Sequence, residues 1–162
     1  MHSKIIQISE KPISKRSFVS ESQYYDDFVG RIADYVDELR EDYRCDCVKS
    51  CLGGDAFVVA EDGKSFEVVD KDSYFRPRYD QFMKTLNDLK DATLEDFAGS
   101  SLRPHYEFSY KVSLMASSYE DDYDIYVDDN GEKYGLIPLD QFMRYAQNGE
   151  KYYVGNVIDY HF

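Results

Sequence analysis

The stretch Asp124–Gly149, DIYVDDNGEKYGLIPLDQFMRYAQNG, decides the fold class. Asp124 to Val127 and Lys133 to Ile137 are short strand-like segments flanking Asp128-Asp129-Asn130-Gly131-Glu132. Asn-Gly supplies the positive φ that a tight hairpin turn requires. The pattern then changes: Leu139 to Gln147 reads as a short helix closed by Asn148-Gly149. Lys151 to Tyr160 follows as a terminal strand. A hairpin that feeds a helix and returns as a strand belongs to an α+β domain.

Upstream, the same grammar recurs. Ala56 to Ala60 and Ser65 to Val69 flank Glu61-Asp62-Gly63-Lys64, a second hairpin. A helix follows from near Arg78 to Lys90, with Pro77 in its first turn. Asp80-Gln81-Phe82-Met83-Lys84 nearly repeats as Asp140-Gln141-Phe142-Met143-Arg144. The match raises a duplicated hairpin-plus-helix unit, residues 56–90 and 124–148, against two helices that independently bury Phe and Met. A short helical turn near Thr93 to Phe97 precedes Gly99, and Lys4 to Ile8 reads as a first strand. In His105 to Ala116, Tyr106, Phe108, Tyr110, Val112 and Leu114 alternate, which reads as a strand. The expectation is one domain, residues 1–162. Its sheet is mostly antiparallel, with about six to eight strands and about three main helices packed on it.

The clearest helical periodicity lies in Glu21 to Asp42, where Phe28, Ile32, Val36 and Leu39 recur at helical spacing. Ser20 with Gln23 fits a capping box. On such a helix Asp26, Asp27, Asp34, Asp37, Glu38 and Glu41 form an outward carboxylate stripe. Asp27, Asp34 and Glu41 would step by about 10.5 Å. An ordinary solvated face explains the same pattern, but few bases interleave to make the usual i,i+4 pairs.

Charge is segregated along the chain. The net charge is −13; Ser20 to Asp46 carries nine acids against three bases, and Tyr119 to Glu132 seven acids and no base. Such a surface repels nucleic acid and anionic membrane and attracts basic partners. Lys4, Lys11, Lys15 and Arg16, like Arg76, Arg78, Lys84 and Lys90, read as balancing charges. The longest apolar run is far short of a membrane span, and the first residues lack a secretory apolar stretch, so the expected location is the cytoplasm.

Cys45, Cys47 and Cys51 lie within seven residues. Their C-x-C-x3-C spacing is not a common zinc pattern, and an odd count argues for reduced thiols. Read as a strand, the stretch puts all three on one face as buried thiols. No nucleotide-binding, zinc-protease or serine-hydrolase motif is present. Aligning Gly131 with the invariant EF-hand glycine puts Tyr126 and Ile137 where acids are required, so that reading fails. A weak cation site at Asp121, Asp122, Asp124, Asp128 and Asp129 stays open. No cofactor, metal or catalytic constellation is expected.

Two functions fit. One is a small acidic inhibitor of a basic nucleic-acid-binding enzyme, presenting carboxylates where a phosphate backbone would lie. Its contact set is Asp26, Asp27, Asp34, Asp37, Glu38 and Glu41 with Tyr119, Glu120, Asp121, Asp122, Tyr123, Asp124, Tyr126, Asp128 and Asp129. Tyr119, Tyr123 and Tyr126 would pack on the partner's cations. In size and composition the chain is similar to the acidic anti-restriction and anti-CRISPR proteins of phages and mobile elements. The other function is a non-catalytic interaction or regulatory domain with an apolar and aromatic interface, such as a strand edge at Tyr152 to Tyr160. Neither contacts nucleic acid or membrane directly.

Overall fold

A computed structural model describes residues 1–99 and 102–162, with side chains described for 1–99 and 105–162. The chain forms two compact units, residues 1–72 with 122–162, and residues 73–121. The elements run β1 (His2–Ser9), β2 (Tyr35–Glu38), α1 (Glu41–Cys51), β3 (Phe57–Val59) and β4 (Ser65–Val68). There follow α2 (Lys71–Lys90), α3 (Leu94–Ala98), α4 (Leu102–Tyr119), β5 (Tyr126–Asp128), β6 (Leu136–Pro138), α5 (Leu139–Tyr145) and β7 (Lys151–His161).

The first unit is built on a seven-stranded sheet ordered β3-β4-β7-β1-β5-β6, with β2 also paired to β7. β7 pairs with β1 along one edge, from Ser9↔Tyr153 to His2↔His161. On its other edge it pairs first with β4 (Ser65↔Tyr153) and then with β2 (Val36↔Tyr160). One long strand thus holds three partners. β1 and β5 are parallel, with Ile5 opposite Tyr126; the remaining pairs are antiparallel.

β1 reads Ile-Ile-Gln-Ile because both faces of the sheet are covered. On one face Ile5, Tyr126, Ile158 and Tyr160 pack under Val19, Tyr24, Phe28 and Ala33. The Phe28 ring meets Tyr126 and Tyr160 edge-on, each at 5.1 Å between centroids, a favoured aromatic geometry. On α5, Leu139, Phe142 and Met143 are buried, and the Phe142 ring lies edge-on to Tyr152 at 5.0 Å.

A register shift between Ile6 and Ile8 marks a bulge where β1 meets β7. The buried Gln7 side chain fills it. Its Oε1 accepts from the N–H groups of Val19 (3.1 Å) and Asn156 (3.0 Å), and its Nε2 donates to the Ser17 carbonyl at 2.8 Å. Asn156 Nδ2 donates to the Val19 carbonyl at 2.8 Å. Gly155 makes the room: a Cβ there would stand 2.2 Å from Gln7 Oε1. Buried polar groups satisfied this completely fix one register for the connector over the sheet.

The second unit is helical, made by α2 beyond residue 72, α3 and α4. Thr93 starts α3 with its hydroxyl accepting from Asp96 N–H at 3.2 Å, while Asp96 Oδ2 accepts from Thr93 N–H at 2.8 Å. Hydrogen bonds from Thr93 hold the Asp96 carboxyl below its usual range. Phe97 meets Phe108 edge-on at 5.7 Å, and Arg78 Nη2 donates to the Ser117 carbonyl at 3.2 Å.

The α+β class and both hairpins are as the sequence reads. Several particulars differ. The sheet is mixed because of the β1–β5 pair, and there are five α-helices among the described residues. Glu21 to Asp42 is not a helix: a 3₁₀ turn at Glu21–Tyr24 gives way to turns and then β2. Ser20 N–H still donates to Gln23 Oε1 at 3.0 Å, so the cap is real but the helix stops after one turn. Gly30, at φ +87°, turns the chain in the middle of the expected helix. His105 to Ala116 lies in helix α4, and the cysteine stretch lies in helix α1. Pro77 sits inside α2, six residues after its start at Lys71.

Candidate functional site

The two acidic segments meet at one end of the sheet. Asp34 N–H donates to the His161 carbonyl at 2.7 Å, and Asp34 Oδ2 lies 3.3 Å from His161 Nδ1. From the second segment, Tyr123 stacks on Phe162 at 4.8 Å, and the Tyr160 hydroxyl donates to the Asp124 carbonyl at 2.5 Å. The last three residues of the chain therefore carry Asp34 on one side and Tyr123 with Asp124 on the other.

The exposed carboxylates sit on a strand edge and its approach, not on a helix. Asp26, Asp27, Asp34, Asp37 and Glu38 are all exposed. Asp37 and Glu38 are neighbours on β2, so they project to opposite faces. Val36, the residue before them, points into the core. Among the described residues no cation pairs with Asp26, Asp27, Asp37 or Glu38. β2 thus forms a rim charged on both sides. Charged side chains on an edge strand also block unwanted strand pairing.

Glu41 departs from this set. It opens α1 and pairs with Lys15 at 2.6 Å. The hydrogen bond from Lys15 lowers its carboxyl, with Arg44 and Lys64 adding to the effect.

The second segment divides in three. Tyr119, Glu120 and Asp121 belong to the helical unit. Asp122 and Tyr123 are exposed, and Asp124 is half-buried. Tyr126, Asp128 and Asp129 are buried and hold the fold together. Asp129 Oδ1 accepts from the N–H groups of Gly131 (3.0 Å) and Gly135 (2.7 Å), and its Oδ2 from those of Lys133 (2.8 Å) and Tyr134 (2.6 Å). Asp128 Oδ1 accepts from Asn130 N–H at 2.7 Å, and its Oδ2 from the Tyr24 hydroxyl at 2.7 Å. These two carboxylates are engaged by their own loop, and the Tyr126 ring lies in the core. Their side chains are therefore not presented to a partner as the sequence reading supposes.

The strand edge proposed at Tyr152 to Tyr160 does not exist, because β7 is paired on both sides. The thiols differ from the strand reading too. Cys47 and Cys51 stand one helical turn apart with sulfurs 3.9 Å from each other. The hydrogen bond with Cys51 lowers Cys47 to about 7, while the same bond and burial raise Cys51. No cluster of three or more His, Cys, Asp or Glu suited to a metal occurs among the described residues.

One further feature, with no motif to mark it, is a cavity of about 470 Å³ where Lys15, Arg44 and Lys64 converge. The three lie far apart in sequence, and only Lys15 is among the residues read there as balancing charges. Among the described residues no helix is long and apolar enough to cross a membrane. No protein family, curated protein or solved structure matches the chain.

Proposed function

We propose that the protein is a non-catalytic acidic inhibitor that engages a basic surface of a nucleic-acid-binding enzyme, of the anti-restriction or anti-CRISPR kind. One observation supports this: Asp26, Asp27, Asp37 and Glu38 are exposed together without counter-cations on and before β2. Carboxylates left without partners keep their attraction for a cationic surface. Mimicry of phosphates along a helix loses its geometric basis, since the seven-residue stepping is absent. A partner that straddles the rim of β2 fits better, because carboxylates project from both of its faces.

The test is capture from a nuclease-bearing bacterial lysate with salt elution, using the wild type and an Asp26→Lys, Asp37→Lys, Glu38→Lys variant. A basic nucleic-acid enzyme released at moderate salt, and lost in the variant, supports the reading. Equal capture by the variant removes the rim from the mechanism.

A second reading, interaction through an apolar and aromatic surface, is favoured by the helical unit. Leu94 and Tyr106 are 81% and 69% exposed there, and Phe97 67%. Exposed apolar groups of this size are common at binding surfaces. A captured partner that resists salt and is lost on Phe97→Ser would favour it.

A further inference from the structure

The cavity near α1 is built by four rigid pieces of the first unit. The connector before Val19 supplies Lys15 and Phe18, α1 supplies Arg44, the β3–β4 turn supplies Lys64, and β7 supplies Tyr153. Two glycines set its walls. Gly63 is buried at φ +67°, and a Cβ there would stand 2.8 Å from Cys45 Cα, so the turn closes directly on α1. Gly155 seats the β7 wall against Gln7. The Lys64 carbonyl accepts from Val154 N–H at 2.9 Å, tying the turn to β7.

Arg44 is held in place before any ligand arrives. Its Nε donates to the Leu39 carbonyl at 3.0 Å, and its guanidinium carbon lies 5.5 Å from the Phe18 ring centroid. No other hydrogen bond or ion pair uses its Nη groups among the described residues. A planar fork fixed at one nitrogen and stacked on a ring presents its remaining donors to an anion at little cost in ordering. The Lys64 ammonium is exposed and only loosely paired, 3.9 Å from Asp62. Glu41 already shows what this neighbourhood does to a carboxylate, since Lys15, Arg44 and Lys64 all favour its charged form.

We propose that this cavity binds a small organic anion with an aromatic body. Arg44 and Lys64 take its anionic group, and Phe18 with Tyr153 flank its ring. The volume lies in the range of small-molecule pockets, about 300–1,000 Å³. The net charge of −13 does not oppose this at contact range. Charges beyond about 10 Å are largely screened at 0.1 M salt, so the lining itself decides: Lys15, Arg44 and Lys64 face Glu41 and Asp62 there, and Glu41 is taken up by Lys15. Asp26, Asp27, Asp37 and Glu38 do not line the cavity, and the site does not rest on the inhibitor reading.

Phenyl phosphate is the probe, with inorganic phosphate and phenol as its two halves. Amide NMR of the full chain should show saturable shifts at Gly63, Lys64, Ser65 and Gly155 with phenyl phosphate. Each half alone should bind at least about tenfold more weakly, because it forfeits either the charged contacts or the ring contacts. Arg44→Gln should weaken binding about tenfold. Lys64→Gln, at an exposed position, should weaken it measurably without touching the fold. Absence of saturable shifts overturns the proposal. So does an equal response to phenol alone, a response centred on Leu94 to Tyr110, or unchanged affinity in both variants.

Discussion

The hydroxyl of Tyr24 donates to Asp128 at 2.7 Å across 104 residues, joining the first acidic segment to the second. Both groups are buried. Burial, then the Asp128 carboxylate, hold the Tyr24 hydroxyl protonated well above its ordinary 10.0. Below about pH 10 the tyrosine is protonated in both folded and unfolded chains. Above it the unfolded chain releases a proton that the folded chain keeps, so stability falls as pH rises. Tyr24→Phe should cost about 1.5–3 kcal/mol at neutral pH, the worth of a hydrogen bond to a charged group. It should also flatten the alkaline decline, leaving the part due to Tyr152, which burial and Glu150 raise likewise. Urea unfolding from pH 7 to 11 measures both; an unchanged alkaline slope in the variant would exclude this role.

Asp129 and Asp34 make a matched pair of acids with opposite duties. Asp129 accepts four backbone N–H groups inside its loop, whereas Asp34 is 74% exposed at its side chain. Asp129→Ala should destabilise by about 3 kcal/mol or more, since buried donors are left without acceptors. Asp34→Ala should stay within about 0.5–1 kcal/mol. Thermal unfolding of the two variants side by side decides it, and equal losses would contradict the assignment.

At the bulge, Gly155→Ala should cost about 1–3 kcal/mol, because the new methyl displaces the Gln7 amide or the strand. Losing the Gln7 contacts should also expose the Val19 and Asn156 amides. Hydrogen exchange should therefore quicken at those two positions first.

Cys47 should be the most reactive thiol. Its lowered value of about 7 leaves a large thiolate fraction at neutral pH, and the thiolate is the nucleophile. Iodoacetamide labelling followed by peptide mass mapping should show Cys47 modified before Cys51, with a midpoint near pH 7. Cys51→Ala removes the hydrogen bond and should move that midpoint upward.

What was legible in the sequence was set by local chemistry. Asp62-Gly63 and Asn130-Gly131 turned hairpins where their backbone demands it, and Gly63, Asn130 and Gly131 all adopt positive φ. What was not legible depended on distant partners. Phe28, Ile32 and Val36 keep helical spacing, yet Val36 pairs with Tyr160 in the sheet. Gly30 was the available warning, since a glycine inside a helix costs about 1 kcal/mol. In α4, Tyr106, Phe108 and Tyr110 alternate, but Tyr106 and Tyr110 are also one helical turn apart and stack at 6.4 Å. Both periods fit the letters, and packing chose the helix. The acidic segments misled in another way. Composition counts Asp128 and Asp129 with Asp26 and Asp37, while only the fold separates carboxylates that cap a loop from those that face water.

The pairing of β7 with β1, β2 and β4 carries a consequence for synthesis on the ribosome. A nascent chain lacking residues 151–161 holds three strands without the neighbour that joins them. Only the β3–β4 and β5–β6 hairpins and the β1–β5 pair can form beforehand. The sheet therefore closes after translation of β7, through pairings such as His2 with His161. Loop closures of that span make folding slow. Meanwhile the bare edges of β1 and β2 are the surfaces on which a chaperone would have to act.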